Sequence, residues 1–243
     1  MPVTAVIVQA RMTSTRLPGK VLMPLAGRSV LWHVLTRCKA IPGADLVCCA
    51  VPDTPESTPL LQEALAAGAV IAKGSEFDVL RRYRDAARQV GADIVMRVTS
   101  DCPVIDPSVC GQVLATRLSN QADYACNNMP RTWPHGLDCE AFTATALEQA
   151  DRDATQASDR EHVTPWLRRA DHLRRATLAG PGGTFAERRW TLDFPEDYAF
   201  FVALFESLPP PPHLASLAEI DQVLQNRPDV TAINAIRHTS AVG

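Results

Sequence analysis

Val3-Thr4-Ala5-Val6-Ile7-Val8-Gln9 is followed directly by Ala10-Arg11-Met12-Thr13-Ser14-Thr15-Arg16-Leu17-Pro18-Gly19-Lys20. The first stretch is β-branched and almost wholly apolar, the pattern of a strand buried on both faces. The second is a basic loop leaving that strand's carboxyl end. Arg11, Arg16 and Lys20 can offer charged donors, Thr13, Ser14 and Thr15 hydroxyls, and the backbone its N–H groups, all suited to phosphate oxygens. Pro18-Gly19 should make a tight turn that returns Lys20 toward the same anion, and the next helix should add a positive dipole end. A solvated basic turn would have the same composition, so spacing alone says anion site and no more.

Outward from this strand the chain alternates. Ser29–Lys39 has helical periodicity, Leu46–Val51 is a second apolar strand, Thr58–Ala67 a helix and Val70–Ala72 a short strand. Phe77–Val90 is a long amphipathic helix, Asp93–Val98 another strand, and Pro107–Leu118 a helix with Asp106 as its N-cap. Strand–helix alternation predicts an α/β fold, Rossmann-like, with a mainly parallel sheet. Such sheets bind ligands on the loops beyond the strands' carboxyl ends. Both the basic loop and Thr99-Ser100-Asp101-Cys102-Pro103 occupy such ends.

The second half is less regular. Tyr124–Asn128, Leu137–Thr143, Leu173–Leu178 and Arg188–Leu192 read as strands. Thr145–Arg152, Arg160–Ala170, Pro195–Ser207 and Leu217–Gln225 read as helices. No linker demands a second domain. The chain therefore reads as one unit, 1–243, with a nucleotide-binding half to about 120 and a smaller lobe from about 121 that completes acceptor and metal sites.

Composition excludes several classes. The 243 residues carry a formal net charge of −3, with 46% hydrophobic and 21% charged residues, unlike a generic nucleic-acid binder. The 7 cysteines are odd in number and contain no CxxC pair, so neither a disulfide framework nor a zinc knuckle is expected. No stretch has the length of a membrane span or the build of a signal peptide, and a reducing cytoplasm is the expected compartment. No GxxxxGK[ST] or GxGxxG motif occurs.

The stretch Gln9-Ala10-Arg11 through Ser14-Thr15-Arg16-Leu17-Pro18-Gly19-Lys20 resembles the signature of the cytidylyltransferases that activate acidic sugars. These include the ketodeoxyoctonate and acylneuraminate enzymes, and the nearest match is the spore coat polysaccharide type. Arg97-Val98-Thr99-Ser100-Asp101-Cys102-Pro103, Gly136-Leu137-Asp138-Cys139-Glu140, Arg160-Glu161-His162-Val163-Thr164-Pro165 and Trp190-Thr191-Leu192-Asp193-Phe194-Pro195 continue it in family order. The resemblance implies a nucleotide-diphospho-sugar transferase fold, CTP as donor, Mg2+ as cofactor and a homodimer. Two positions depart from the pattern: Thr13, and Ser100 where a glycine is common.

By that resemblance Asp101 and Asp193 bind the metal, while Arg11, Arg16, Lys20 and Asp101 carry catalysis. Ala10, Ser14, Ser75, Asp78 and Arg82 join them around the nucleotide. Asp193 equally suits a helix N-cap before Pro195-Glu196-Asp197, and Ser75, Asp78 and Arg82 suit an ordinary capped helix with a charged face. Arg131, His135, Asp138, Glu140, Arg160 and His162 are the acceptor-side candidates, because guanidinium groups bind carboxylates bidentately. The expected reaction moves CMP from CTP to a small anionic acceptor, without nucleic acid or membrane. A GT-A glycosyltransferase or a non-catalytic nucleotide binder are the alternatives. The DxD letters of the former fall only at Asp151-Arg152-Asp153, at a helix end.

Overall fold

The structure, a computed structural model, describes residues 2–237; residue 1 and residues 238–243 of the expected 1–243 unit lie outside the described residues. In chain order the first half contains β1 (Thr4–Gln9), β2 (Pro24–Leu25), β3 (Arg28–Ser29), α1 (Val30–Cys38), β4 (Leu46–Pro52), α2 (Thr58–Ala66) and β5 (Val70–Gly74). It continues through α3 (Val79–Gln89), β6 (Ile94–Thr99) and α4 (Pro107–Ser119). The second half adds β7 (Tyr124–Cys126), β8 (Glu140–Thr143), α5 (Ala144–Asp153), α6 (Ala157–His162), α7 (Pro165–Arg169) and β9 (Arg175–Thr177). The last elements are α8 (Gly183–Ala186), α9 (Pro195–Ser207), α10 (Leu217–Asn226) and α11 (Pro228–Ala232).

Seven strands make one sheet in the order β5-β4-β1-β6-β8-β7-β9. β1, β4, β5 and β6 are mutually parallel, and β8 alone runs against the others. β1 is central, and its alternate side chains feed two cores. Val6 and Val8 pack with Leu35 and Val113 on one face, while Ala5 and Ile7 pack with Leu80 and Leu147 on the other. That double burial is why β1 reads as an unbroken apolar run instead of an alternating one. A third core gathers Trp190, Leu192, Phe200, Phe201 and Leu204 beside the sheet.

From β1 the chain goes to β4 and β5 on one side, then returns to β6 on the other. The loops leaving β1 and β6 therefore diverge at a switch point, where a crevice opens. Helix starts are set locally. Ser29 caps α1 through the Trp32 amide at 3.0 Å, and Asp106, as expected, caps α4 through the Val109 amide at 2.9 Å.

The second half corrects several expectations. Arg188–Leu192 is no sheet strand, being held by one isolated bridge of two backbone bonds to His135 and a single bond to Asp101. Its apolar side chains Trp190 and Leu192 are buried in the third core, so their periodicity reflects packing and not a ladder. The expected helix Arg160–Ala170 is two helices, α6 and α7, split at Val163, whose φ is +71°. The other strands are real but shorter than expected.

Gly136 lies where residues 133–138 cross the 188–192 segment, with φ +113°; a Cβ there would stand 2.0 Å from the Trp190 carbonyl oxygen. Only glycine permits that approach.

Candidate active site

The basic loop closes on itself before it reaches its ligands. The Ser14 and Gly19 amides both donate to the Met12 carbonyl, at 3.1 and 3.3 Å, and the Lys20 amide donates to Leu17 at 3.2 Å. Gly19 supplies the left-handed turn at φ +68°, as Pro18-Gly19 predicted. The result turns Lys20 back across the crevice. Its ammonium donates to Asp101 Oδ2 at 2.8 Å, Asp193 Oδ1 at 2.9 Å and the Leu192 carbonyl at 2.7 Å. The expected dipole contribution of α1 is absent from this arrangement, because the hairpin β2–β3 separates the loop from that helix and its first turn does not line the crevice.

Asp193 is delivered by a different device. The Leu192 amide donates to the Asp101 carbonyl at 2.8 Å, which ties the two carboxylate-bearing segments together. Asp197, in the first turn of α9, then accepts the amides of Asp193 and Phe194, both at 3.0 Å. Phe194, not Asp193, is the residue that opens α9, and Asp197 reaches back to it from within the helix, so the N-cap alternative for Asp193 fails. The Asp193 carboxylate is left for cations: Lys20, Arg16 Nη2 at 3.0 Å and Arg189 Nη2 at 3.3 Å. Arg16 also lies over the Phe194 ring, 5.2 Å from its centre.

Burial would lower the Lys20 pKa, but the Asp101 and Asp193 charges outweigh it and hold the ammonium above its ordinary value. Burial would likewise raise Asp101, yet Lys20 and the Thr99 hydroxyl bring it down to about 2. The pair is charged throughout the neutral range.

One cleft collects Ala10, Arg11, Ser14, Arg16, Lys20, Arg82, Asp101, His162 and Asp193 from the expected residues. Arg82 is buried, 1% exposed, and donates to the backbone carbonyls of Ser75 and Glu76. Among the described residues it makes no ion pair with a carboxylate, and its Nε has no hydrogen-bond partner. The Gln9 side-chain oxygen, also lining the cleft, is unpartnered too. Buried unpaired polar groups facing one cleft are the mark of a polar ligand's seat.

Other expected residues stand elsewhere. Asp78 caps α3 through the Arg81 amide at 3.0 Å, Ser75 Oγ accepts the Asp78 amide at 3.0 Å, and Arg160 bridges Asp78 and Asp151. Glu140 is 1% exposed and saturated: Arg97, Arg168, Tyr124 and Thr164 all donate to it. It has no lone pair to spare for an acceptor, and through Thr164 it anchors the chain just after His162. Arg131 and Asp138 pair at 3.0 Å, and His135 stands 3.8 Å from Asp138 and 3.4 Å from Arg189. Burial lowers the His135 pKa. His135 links this group to the cleft through Arg189, which touches Asp193.

Sequence reasoning missed Gln9, Thr99, Arg189 and Asp197. The last two carried a faint signal, since Arg189, Asp193 and Asp197 recur at intervals of four.

Asp101 and Asp193 converge on one positive group, with a backbone oxygen beside them. All three donors are hard oxygens, and the Lys20 ammonium stands in for a cation there. Such a set fits a magnesium-like ion that takes its remaining ligands from phosphate and water, and not a zinc ion. Among the described residues no group of three or more His, Cys, Asp and Glu could hold a metal alone. All seven cysteines are buried and free, and no described helix is long and apolar enough to cross a membrane.

Residues 5–234 match the family model described as cytidylyltransferase. The spore coat polysaccharide biosynthesis protein SpsF of Bacillus subtilis is 29% identical over 230 residues, 92% of this chain and 94% of that protein. A 3-deoxy-manno-octulosonate cytidylyltransferase of Anaeromyxobacter is 29% identical over 213 residues, 85% of this chain and 77% of its own. Among solved structures, a cytidylyltransferase from Leptospira borgpetersenii superposes over 100% of both chains with a TM-score of 0.88 at 25% identity.

Proposed function

The chain belongs to the cytidylyltransferase family and is a nucleotidyltransferase; from that premise we propose that it transfers CMP from CTP to a small carboxylated sugar or similar anionic acceptor. The observation that carries this reading is the Lys20 bridge between Asp101 and Asp193, set in a cleft that also holds Arg11, Arg16 and the unpaired Arg82.

In this reading Arg11, Arg16 and Lys20 bind the triphosphate, with Ser14 and the Ala10 backbone beside it. The acceptor oxygen attacks the α-phosphorus in line. A new P–O bond forms as the bond between the α-phosphorus and the oxygen bridging to the β-phosphate breaks, pyrophosphate leaves, and the proton of the acceptor hydroxyl passes to solvent. Positioning and charge stabilisation do most of this work, because no covalent enzyme intermediate is required. A divalent ion, Mg2+ or Mn2+, held by Asp101 and Asp193 supplies charge neutralisation at the phosphates when bound. His162 and Glu161 form the acceptor side. Arg131, His135 and Asp138 act through Arg189 on Asp193, while Glu140 and Arg160 fix the segments that carry the site. Surface-polysaccharide synthesis is the proposed setting, by analogy with the spore coat relative. A homodimer is proposed with it, to be measured by light scattering.

The test incubates the protein with each nucleoside triphosphate, divalent metal and a panel of acidic sugars, following pyrophosphate. Release only with CTP and a carboxylated acceptor supports the reading. Release of UDP or GDP from nucleotide sugars would establish a glycosyltransferase instead. The structure disfavours that second reading, since Asp151 is tied to Arg160 and Arg84, and Asp153 to Arg152, none of it at the cleft.

A further inference from the structure

The Lys20 ammonium has three donors, and all three are used. They go to the two carboxylates and one carbonyl that a divalent ion would seek. The side chain is only 12% exposed, so it does not share this place with solvent. Asp193 is further balanced by Arg16 at 3.0 Å and Arg189 at 3.3 Å. Before any ion arrives, Lys20 thus neutralises the pair from between them, Arg16 adds a second charge, and Arg189 shares its own with Asp197. A free divalent ion could gain Asp101 and Asp193 only by driving Lys20 into a cleft that also contains Arg11, Arg16 and Arg82. Among the described residues the one carboxylate there beyond the pair, Glu161, already faces Arg11 at 4.0 Å. A triphosphate reverses both conditions, because its oxygens accept the displaced ammonium and bring the ion's remaining ligands.

We propose that Lys20 is a specificity-determining residue that shuts the carboxylate pair to the free divalent ion and admits only an ion carried by the triphosphate. The admitting half rests on the triphosphate reading above; the shutting half concerns the nucleotide-free protein alone. Metal and nucleotide then enter together, and metal without nucleotide finds no site.

Equilibrium dialysis of the full chain against Mn2+, with retained metal measured by atomic absorption, tests both halves. Wild-type protein should retain no excess Mn2+ alone or with cytidine, and should retain it with CTP. Lys20→Gln should bind Mn2+ without nucleotide at least about tenfold more tightly than wild type, since a charge beside the carboxylates is gone. Lys20→Arg, which keeps the charge, should not. Mn2+ retention by nucleotide-free wild type at the affinity of Lys20→Gln overturns the proposal, as does a Lys20→Gln protein that gains nothing. If circular dichroism shows Lys20→Gln unfolded, the wild-type arms decide: exclusion alone with retention beside CTP supports the proposal, and retention alone overturns it. Failure of CTP to recruit metal, with the nucleotide-free arms as expected, would overturn the admitting half and the triphosphate reading but not the shutting half.

Discussion

Arg189 and Asp197 form a two-pronged buried ion pair, Nε to Oδ1 and Nη2 to Oδ2, both at 2.9 Å. Asp197 has no exposed surface, and Asn234 adds a further bond to it at 3.1 Å. Burial would raise the Asp197 pKa, but Arg189 and the Asp193 amide hold it below the ordinary carboxylate value. This pair fixes the backbone from which Asp193 faces Lys20. Asp197→Ala should cost about 3–5 kcal/mol of stability, because it strands a buried guanidinium. Thermal unfolding reads the loss, and turnover at a temperature where the variant stays folded reads the displacement of Asp193.

Arg16 donates to Asp193 and covers Phe194 from the open side of the cleft. Arg16→Ala should weaken CTP binding by roughly ten- to a hundredfold, the scale of one charged hydrogen bond at about 1.5–3 kcal/mol. Isothermal titration with CTP and metal measures it. Asp101→Asn should instead keep most CTP affinity and lower turnover at least about a hundredfold. Unchanged turnover in that variant removes Asp101 from the mechanism.

The Lys20–Asp101 pair has a defined pH window. Asp101 is depressed from 3.8 to about 2, so its contribution is complete above about pH 4 and is lost as pH falls through about 2. Lys20 is raised above 10.5, so its contribution is complete below that value and lost only as pH climbs through the higher one. The difference in unfolding free energy between wild type and Lys20→Gln should therefore be level across the neutral range and shrink at both extremes. Denaturant titrations at a series of pH values check this, and a step near neutrality would show that another group controls the pair.

Glu140 receives two arginines inside the fold. Glu140→Ala should destabilise by about 3–5 kcal/mol, leaving Arg97 buried and unpaired. An acceptor-binding residue would behave differently, raising acceptor KM without lowering Tm. That signature is expected of His162→Ala.

The sequence discloses those parts whose causes are local. Strands β1, β4 and β6 show as apolar runs because both their faces are buried, and Asp106 shows as a cap because the amide that donates to it lies three residues on. The basic loop and Asp101 are legible from their position at strand ends. What fails to show depends on partners far away in the chain. Arg160 looks available for an acceptor until Asp78, separated by 82 positions, takes it. Asp193 looks like a cap until the helix opens one residue later, at Phe194, and Lys20 and Arg16 take its carboxylate. Arg188–Leu192 imitates a strand because the third core buries Trp190 and Leu192 at the spacing a sheet would use.

Gly136 contacts no part of the cleft, yet the hydrogen atom it has in place of a side chain sets how near residues 188–192 lie to residues 133–138. Leu192 lies on that segment and Asp193 directly follows it, so a substituent at 136 is expected to push Asp193 from its place beside Asp101. In a saturation mutagenesis library this position should be as depleted of functional clones as Asp101. The inactive clones recovered there would carry every side chain of the cleft unaltered.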